Sequence, residues 1–184
     1  ESALSTVLEF GYEPKPNSEI KSVATVILKH NNPCGAAISN SASDAFKKAL
    51  NCDSVSAFGG IVAFNTNVDE EAALILKDIF LECVVAPSFD KKALEIFKTK
   101  QNFRVLRLPK GRLPQGKQTS SKSIMGGILI QDCDKQENNE DTWISVTENA
   151  PNKKEYLDLK FAWKICKHVK SNAIVIAKDQ QTLG

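Results

Sequence analysis

Residues 23–37, Val-Ala-Thr-Val-Ile-Leu-Lys-His-Asn-Asn-Pro-Cys-Gly-Ala-Ala, constrain the fold more than any other stretch. Residues 23–28 are apolar and rich in β-branched side chains, the pattern of a short buried strand. Polarity then changes at once. Lys29, His30, Asn31 and Asn32 follow, and Pro33 and Gly35 are expected to end the strand. Open α/β sheets place ligands outside the carboxyl ends of their strands, so this polar cluster is a candidate site. A lysine beside a histidine offers a cation and a proton carrier at one point, although surface turns also carry this dipeptide. Neighbouring side chains in a regular strand face opposite ways, so the pair can serve one site only if the strand has ended by Lys29.

The rest of the chain alternates strand and helix patterns. Ser41 or Ser43 caps a helix with Ala45, Phe46, Ala49 and Leu50 inward. Residues 55–60, with Ser56, Phe58 and the Gly59-Gly60 pair, form a tight turn or a close backbone approach, and 61–64 a buried strand. Asp69 caps a second helix with Ala72, Ala73, Leu76, Ile79 and Phe80 on one face; 84–86 is a strand stopped by Pro87. Asp90 caps a third helix running to Phe97, and 103–108 is a further strand. This alternation predicts an α/β fold with a largely parallel sheet covered on both faces.

From Asn152 a long helix is expected to reach about Lys170. Leu159, Ala162, Trp163, Cys166 and Val169 face inward, which makes Trp163 a core residue. Ser171 and Asn172 then lead into a strand over 173–177, with Gly184 in a turn after it. Residues 1–20 read as a leading segment with at most one short helix. Residues 21–141 read as a first unit, 142–151 as a linker and 152–184 as the start of a second unit. Both chain ends look like cuts through a longer protein. The basic stretch 109–123 and the acidic stretch 132–141 lack periodicity and read as solvated loops around a Gly126-Gly127 strand. No aromatics interleave the basic residues to stack bases.

A net charge of +2 is too near neutral to argue for nucleic acid or a membrane surface. No stretch is apolar enough to span a bilayer and no signal peptide is visible. The five cysteines are scattered and odd in number, which favours reduced thiols and a reducing compartment.

Several segments, in order, carry a family resemblance. Residues 29–35, KHNNPCG, resemble the Lys-His-x-Asn-Pro-Cys-Gly signature of the aminoimidazole carboxamide ribonucleotide (AICAR) formyltransferases. These form the transformylase part of a bifunctional purine biosynthesis protein that also carries inosine monophosphate (IMP) cyclohydrolase. Residues 53–65, DSVSAFGGIVAFN, 82–87, ECVVAP, 125–132, MGGILIQD, and 161–179, FAWKICKHVKSNAIVIAKD, are similar to later family segments.

The resemblance implies a three-layer αβα, cytidine-deaminase-like arrangement with the start of a second similar unit. It implies formyl transfer from the co-substrate 10-formyltetrahydrofolate to the amine of AICAR. His30 would be the base and Lys29 the cation near the developing oxyanion. Asn172 takes the place of a functional asparagine, with a turn-capping Asn as the open alternative. Asn32, Phe58, Gly59 and Glu82 fall at substrate-binding positions, although a core Phe, a structural Gly and a surface carboxylate remain open for the last three. A homodimer in the intact parent is implied, and a cytoplasmic location, or an organelle stroma after removal of a transit peptide. Phosphate-binding arginines of the family belong to segments expected before Glu1 and after Gly184.

Zinc deaminases use H-x-E with P-C-x-x-C. Here His30 is followed by Asn32, and the last position of the Cys34 motif is Ala37, so no metal is predicted. Two alternatives stay open: a non-catalytic relative or scaffold that keeps the fold, and a metal-dependent deaminase-like enzyme. His168, late in a helix among lysines, reads as a helix-end histidine.

Overall fold

The computed structural model describes residues 1–13, 22–110, 119–134 and 142–184. Residues 14–20 of the leading segment, 111–118 of the basic stretch and 135–141 of the acidic stretch lie outside the described residues. The chain begins with helix α1 (Ser2–Leu8). Then come β1 (Val23–Lys29), β2 (Asn32–Ser39), α2 (Ala42–Leu50), β3 (Gly60–Phe64), α3 (Glu70–Lys77), β4 (Leu81–Ala86), α4 (Lys91–Lys98) and β5 (Arg104–Arg107). Next are a hairpin of β6 (Thr119–Ile124) and β7 (Gly127–Asp132), helix α5 (Lys153–Cys166), β8 (Ala177–Lys178) and β9 (Gln181–Thr182).

One sheet has the order β5-β4-β3-β1-β2-β9-β8. Only β3-β4-β5 is parallel; β1 pairs antiparallel with both β2 and β3, so the sheet is mixed rather than largely parallel. The reason is local. β1 and β2 are joined by two residues, and so short a link permits only antiparallel pairing.

Side chains of β1 alternate between two apolar clusters, as a strand's period of two requires. Val23 and Ile27 join Phe46, Ala72, Leu76, Ala93 and Phe97 from α2, α3 and α4. Ala24, Val26 and Leu28 join Ala3 and Val7 of α1 and Phe161 and Ile165 of α5. The caps form as expected at two helices: Ser41 Oγ accepts from Asp44 N–H, and an Asp69 carboxylate oxygen from Ala72 N–H. Asp90 precedes α4, but its carboxylate instead accepts from Asn67 Nδ2 at 3.0 Å.

Four further readings change. Pro33 and Gly35 do not stop the sheet; they lie within β2. Proline lacks a donor N–H, yet β2 meets its other neighbour, β9, only at Ala37, so Pro33 stands at a free edge. Residues 119–124, read as loop, form β6, exposed along its whole length. Helix α5 ends at Cys166, and its buried residues are Phe161 and Ile165. Trp163 is 54% exposed, against Trp143 at 5.6 Å, because the helix is apolar on more than one face and the sheet takes the Phe161 side. The strand expected over 173–177 shrinks to a two-residue β8, and a second short strand of the main sheet, β9, returns from it before Gly184. Thr182 fastens this return: its Oγ1 accepts from Ala36 N–H at 2.9 Å and donates to Ala36 O at 3.2 Å.

All five cysteines are free. Among the described residues no helix is long and apolar enough to cross a membrane.

Candidate functional site

The site is built on the β1–β2 turn. Lys29 is the last residue of β1 and pairs with Asn32, the first of β2. His30 and Asn31 between them have φ of +51° and +62°. Two successive left-handed residues close a two-residue hairpin, and His and Asn are among the non-glycine residues that tolerate this region best. The strand has therefore ended by Lys29, which meets the condition for the two side chains to share a site. Both line a cavity of about 470 Å³. Both also line a second cavity of about 300 Å³, so the turn forms a wall between the two.

Lys29 is half-buried and its Nζ donates to Gly59 O at 3.1 Å. An ammonium has three donors, so two remain for a ligand. His30 is exposed; its carbonyl accepts from Lys170 Nζ at 2.8 Å. Asn32 Oδ1 accepts from the backbone N–H of Lys170 at 3.0 Å, and its Nδ2 donates to Pro33 O at 3.3 Å. Lys170 thus ties residues near the end of the chain to the His30 turn. Asn172 sits two residues further on, exposed and not among the lining residues, whereas Ile174 and Val175 line the larger cavity.

Gly59 (φ +66°) lies in the turn before β3, where only a residue without a Cβ avoids strain, and it lines the smaller cavity. Phe58 is 64% exposed, its ring 4.9 Å from that of Phe80, so it is not a core residue. Glu82 lines the smaller cavity and pairs with Arg104 at 2.8 Å. The structure therefore gathers Lys29, His30, Gly59 and Glu82 around one space, and Lys29, His30 and Asn32 around the other. Phe58 adjoins Gly59 in the chain, and neither Phe58 nor Asn172 is among the residues lining these two spaces.

Sequence reasoning missed part of the larger cavity's wall: Cys34, Cys52, Asp53, Ser56 and Thr182. Asp53 and Ser56 belong to the DSVSAFGG segment, which was the available signal. Hydrogen bonds from Ser56 hold the Asp53 carboxyl below the usual carboxylate range; its backbone N–H donates to Asp53 Oδ1 at 2.8 Å. Burial pushes the Cys34 thiol up to about 11, with the Asp53 charge adding to it, so this thiol is protonated at neutral pH and is a poor nucleophile. Thr182 carried no signal, because its contact with Ala36 spans 146 positions. Among the described residues no three His, Cys, Asp or Glu side chains cluster as metal ligands.

A "Bifunctional purine biosynthesis protein PurH" of Prochlorococcus marinus (strain MIT 9515) is 79% identical over all 184 residues. One of the same description from P. marinus subsp. pastoris (strain CCMP1986 / NIES-2087 / MED4) is 68% identical over the same span. In each case these residues make up 36% of the relative, so the chain spans about a third of the length of the curated relatives it matches. A solved structure of Acinetobacter baumannii RibD resembles 57% of this chain and 32% of its own, at 20% identity and a TM-score of 0.42. The family model described as "AICARFT/IMPCHase bienzyme" runs through every element that builds the Lys29–His30 turn and both cavities, from residue 1 to residue 184, and the chain belongs to that family.

Proposed function

We propose that the chain is part of an enzyme of purine biosynthesis that transfers a formyl group from 10-formyltetrahydrofolate to the amine of AICAR. The family membership supports this reading, and one observation carries it: Lys29 ends β1, His30 opens the two-residue turn that follows, and both line the same spaces. The AICAR amine is conjugated with its ring and is a weak nucleophile. As its nitrogen bonds to the formyl carbon, His30 takes the amine proton. The Lys29 ammonium, with donors left beyond Gly59 O, steadies the oxyanion. The bond from the formyl carbon to the folate nitrogen then breaks, and that nitrogen takes up a proton.

In this reading Asn172 steers His30 or holds the formyl oxygen from the Lys170-anchored segment, and Asn32, Phe58, Gly59 and Glu82 contact substrate. The helices on both sheet faces support the three-layer, cytidine-deaminase-like arrangement. Residues 152–184 open a second similar unit beyond a 142–151 linker, seated on the first through Phe161, Ile165 and β9. The remaining two-thirds of the family protein supplies phosphate-binding residues, a homodimer partner and the cyclohydrolase. The five free thiols suit a cytoplasmic setting.

The test is steady-state kinetics on the complete family protein. His30→Ala lowers kcat about 100- to 10,000-fold with a smaller change in KM for AICAR, the usual cost of losing a general base. Lys29→Ala costs a comparable amount, and the double variant loses far less than the product of the single losses, because groups acting as a unit are non-additive. Unchanged kcat in His30→Ala, or simple unfolding, refutes the assignment.

A further inference from the structure

Phe80 has no evident place in the core. Helix α3 ends at Lys77, three residues before it, and the side chain is 52% exposed. Yet it holds the 58–59 turn in two ways. Its carbonyl accepts the Gly59 N–H at 2.8 Å, and its ring lies 4.9 Å from Phe58, tilted by 37°. Gly59 is wedged between that ring and a cation: a Cβ there would lie 3.4 Å from a Phe80 ring carbon and 2.8 Å from Lys29 Nζ. On the far side of the turn, Gly60 N–H donates to Ala57 O at 2.9 Å. The Gly59 carbonyl is thus fixed from both flanks, and it accepts the hydrogen bond from Lys29 Nζ.

We propose that Phe80 is a positioning residue for Lys29, acting through Gly59. The inference rests on the reading of Lys29 as the cation of the site. A lysine has a flexible four-carbon stem, and one acceptor held in one direction selects among its rotamers. The Phe80 ring closes the turn that aims this acceptor, and the two remaining ammonium donors then point at the substrate instead of sampling solvent.

The test reads Lys29 directly, without turnover. The full chain is reductively methylated under limiting reagent, and modification at Lys29 is compared with that at exposed Lys98 by peptide mass mapping. Phe80→Ala raises the Lys29 to Lys98 ratio about two- to tenfold, the range corresponding to a lost aromatic pair. Phe80→Leu, which keeps apolar volume without the ring face and guards against a folding defect in the alanine variant, raises it about twofold. Phe80→Tyr restores the original ratio. A merely structural Phe80 lowers the melting temperature and leaves the ratio unchanged in all three variants; that result overturns the proposal. Absence of formyl transfer in the complete protein leaves the labelling result standing, so the two readings fail separately.

Discussion

Gly35→Ala isolates the contact that seats the site hairpin on its supporting helix. Gly35 is buried in β2 with no left-handed φ, so the substitution tests space rather than backbone freedom. A Cβ there would lie 2.0 Å from the Ala49 carbonyl oxygen and 2.9 Å from its carbon, both backbone atoms at the end of α2. Carbon contacts settle at about 3.5–4.0 Å, so strand and helix must part by more than about 1 Å. Neither can move freely, because Ala36, Ala45, Phe46 and Ala49 around them are fully buried. Overpacking costs about 1–3 kcal/mol and sometimes more, and a backbone obstacle places this case near 3 kcal/mol. For a chain of this size that lowers Tm by about 6–12 °C. Gly127→Ala is the internal control: it has no neighbour within 4 Å and no left-handed φ, so it stays within about 0.5 kcal/mol of the unaltered chain. Thermal and urea melts followed by circular dichroism compare the three proteins. A Gly35→Ala melt within about 2 °C of the unaltered chain, which corresponds to under 1 kcal/mol, refutes the close approach of β2 to α2.

Two further substitutions probe the frame around the site. Asn65 is fully buried; its Oδ1 accepts from Ala24 N–H at 2.8 Å, and its Nδ2 donates to Ser22 O at 2.9 Å and Phe10 O at 3.2 Å. Asn65→Ala strands three backbone groups and costs about 2–4 kcal/mol in urea melts; a loss under about 0.5 kcal/mol contradicts the network. Glu9 joins α1 to the end of α5, where His168 Nε2 lies 3.0 Å and Lys167 Nζ 3.1 Å from its Oε1. The His168 hydrogen bond, aided by Lys167 against burial, lowers Glu9 from 4.5 to about 2. The folded state then holds fewer protons than the unfolded one, so this stabilisation is present above pH 4.5 and is lost as pH falls toward 2. Glu9→Gln therefore destabilises the chain at neutral pH and much less near pH 2.5; equal losses at both refute the linkage.

The elements that sequence reasoning located were those with strong local signals. β1 announced itself by a β-branched run, and α2 and α3 by Ser41 and Asp69 with apolar periodicity behind them. The elements it lost were decided by distant partners. Pro33 and Gly35 look like breakers until the sheet edge at one and the α2 backbone beside the other are known. Trp163 and Phe161 both sit on a helix with apolar residues on more than one face, and only the position of the sheet selects Phe161 for burial. At the candidate site, Lys29 and His30 stood out as an adjacent pair at a strand end, a weak signal alone that the resemblance of residues 29–35 strengthened. Lys170, Phe80 and Thr182 did not, because their site contacts cross 140, 21 and 146 positions.

These separations also order events in time. The β1–β2 hairpin joins neighbours through two residues, and such hairpins close in about 1–10 μs. The contacts of Lys170 with His30 and of Thr182 with Ala36 close loops of 140 and 146 positions, and nearly the whole chain must be in place before they form. Lys29 and His30 are therefore shaped early and roofed late. A ligand gripping both hairpin and roof would hold the late-closing segment down, slowing exchange of the β9 amides while leaving those of β1 unchanged.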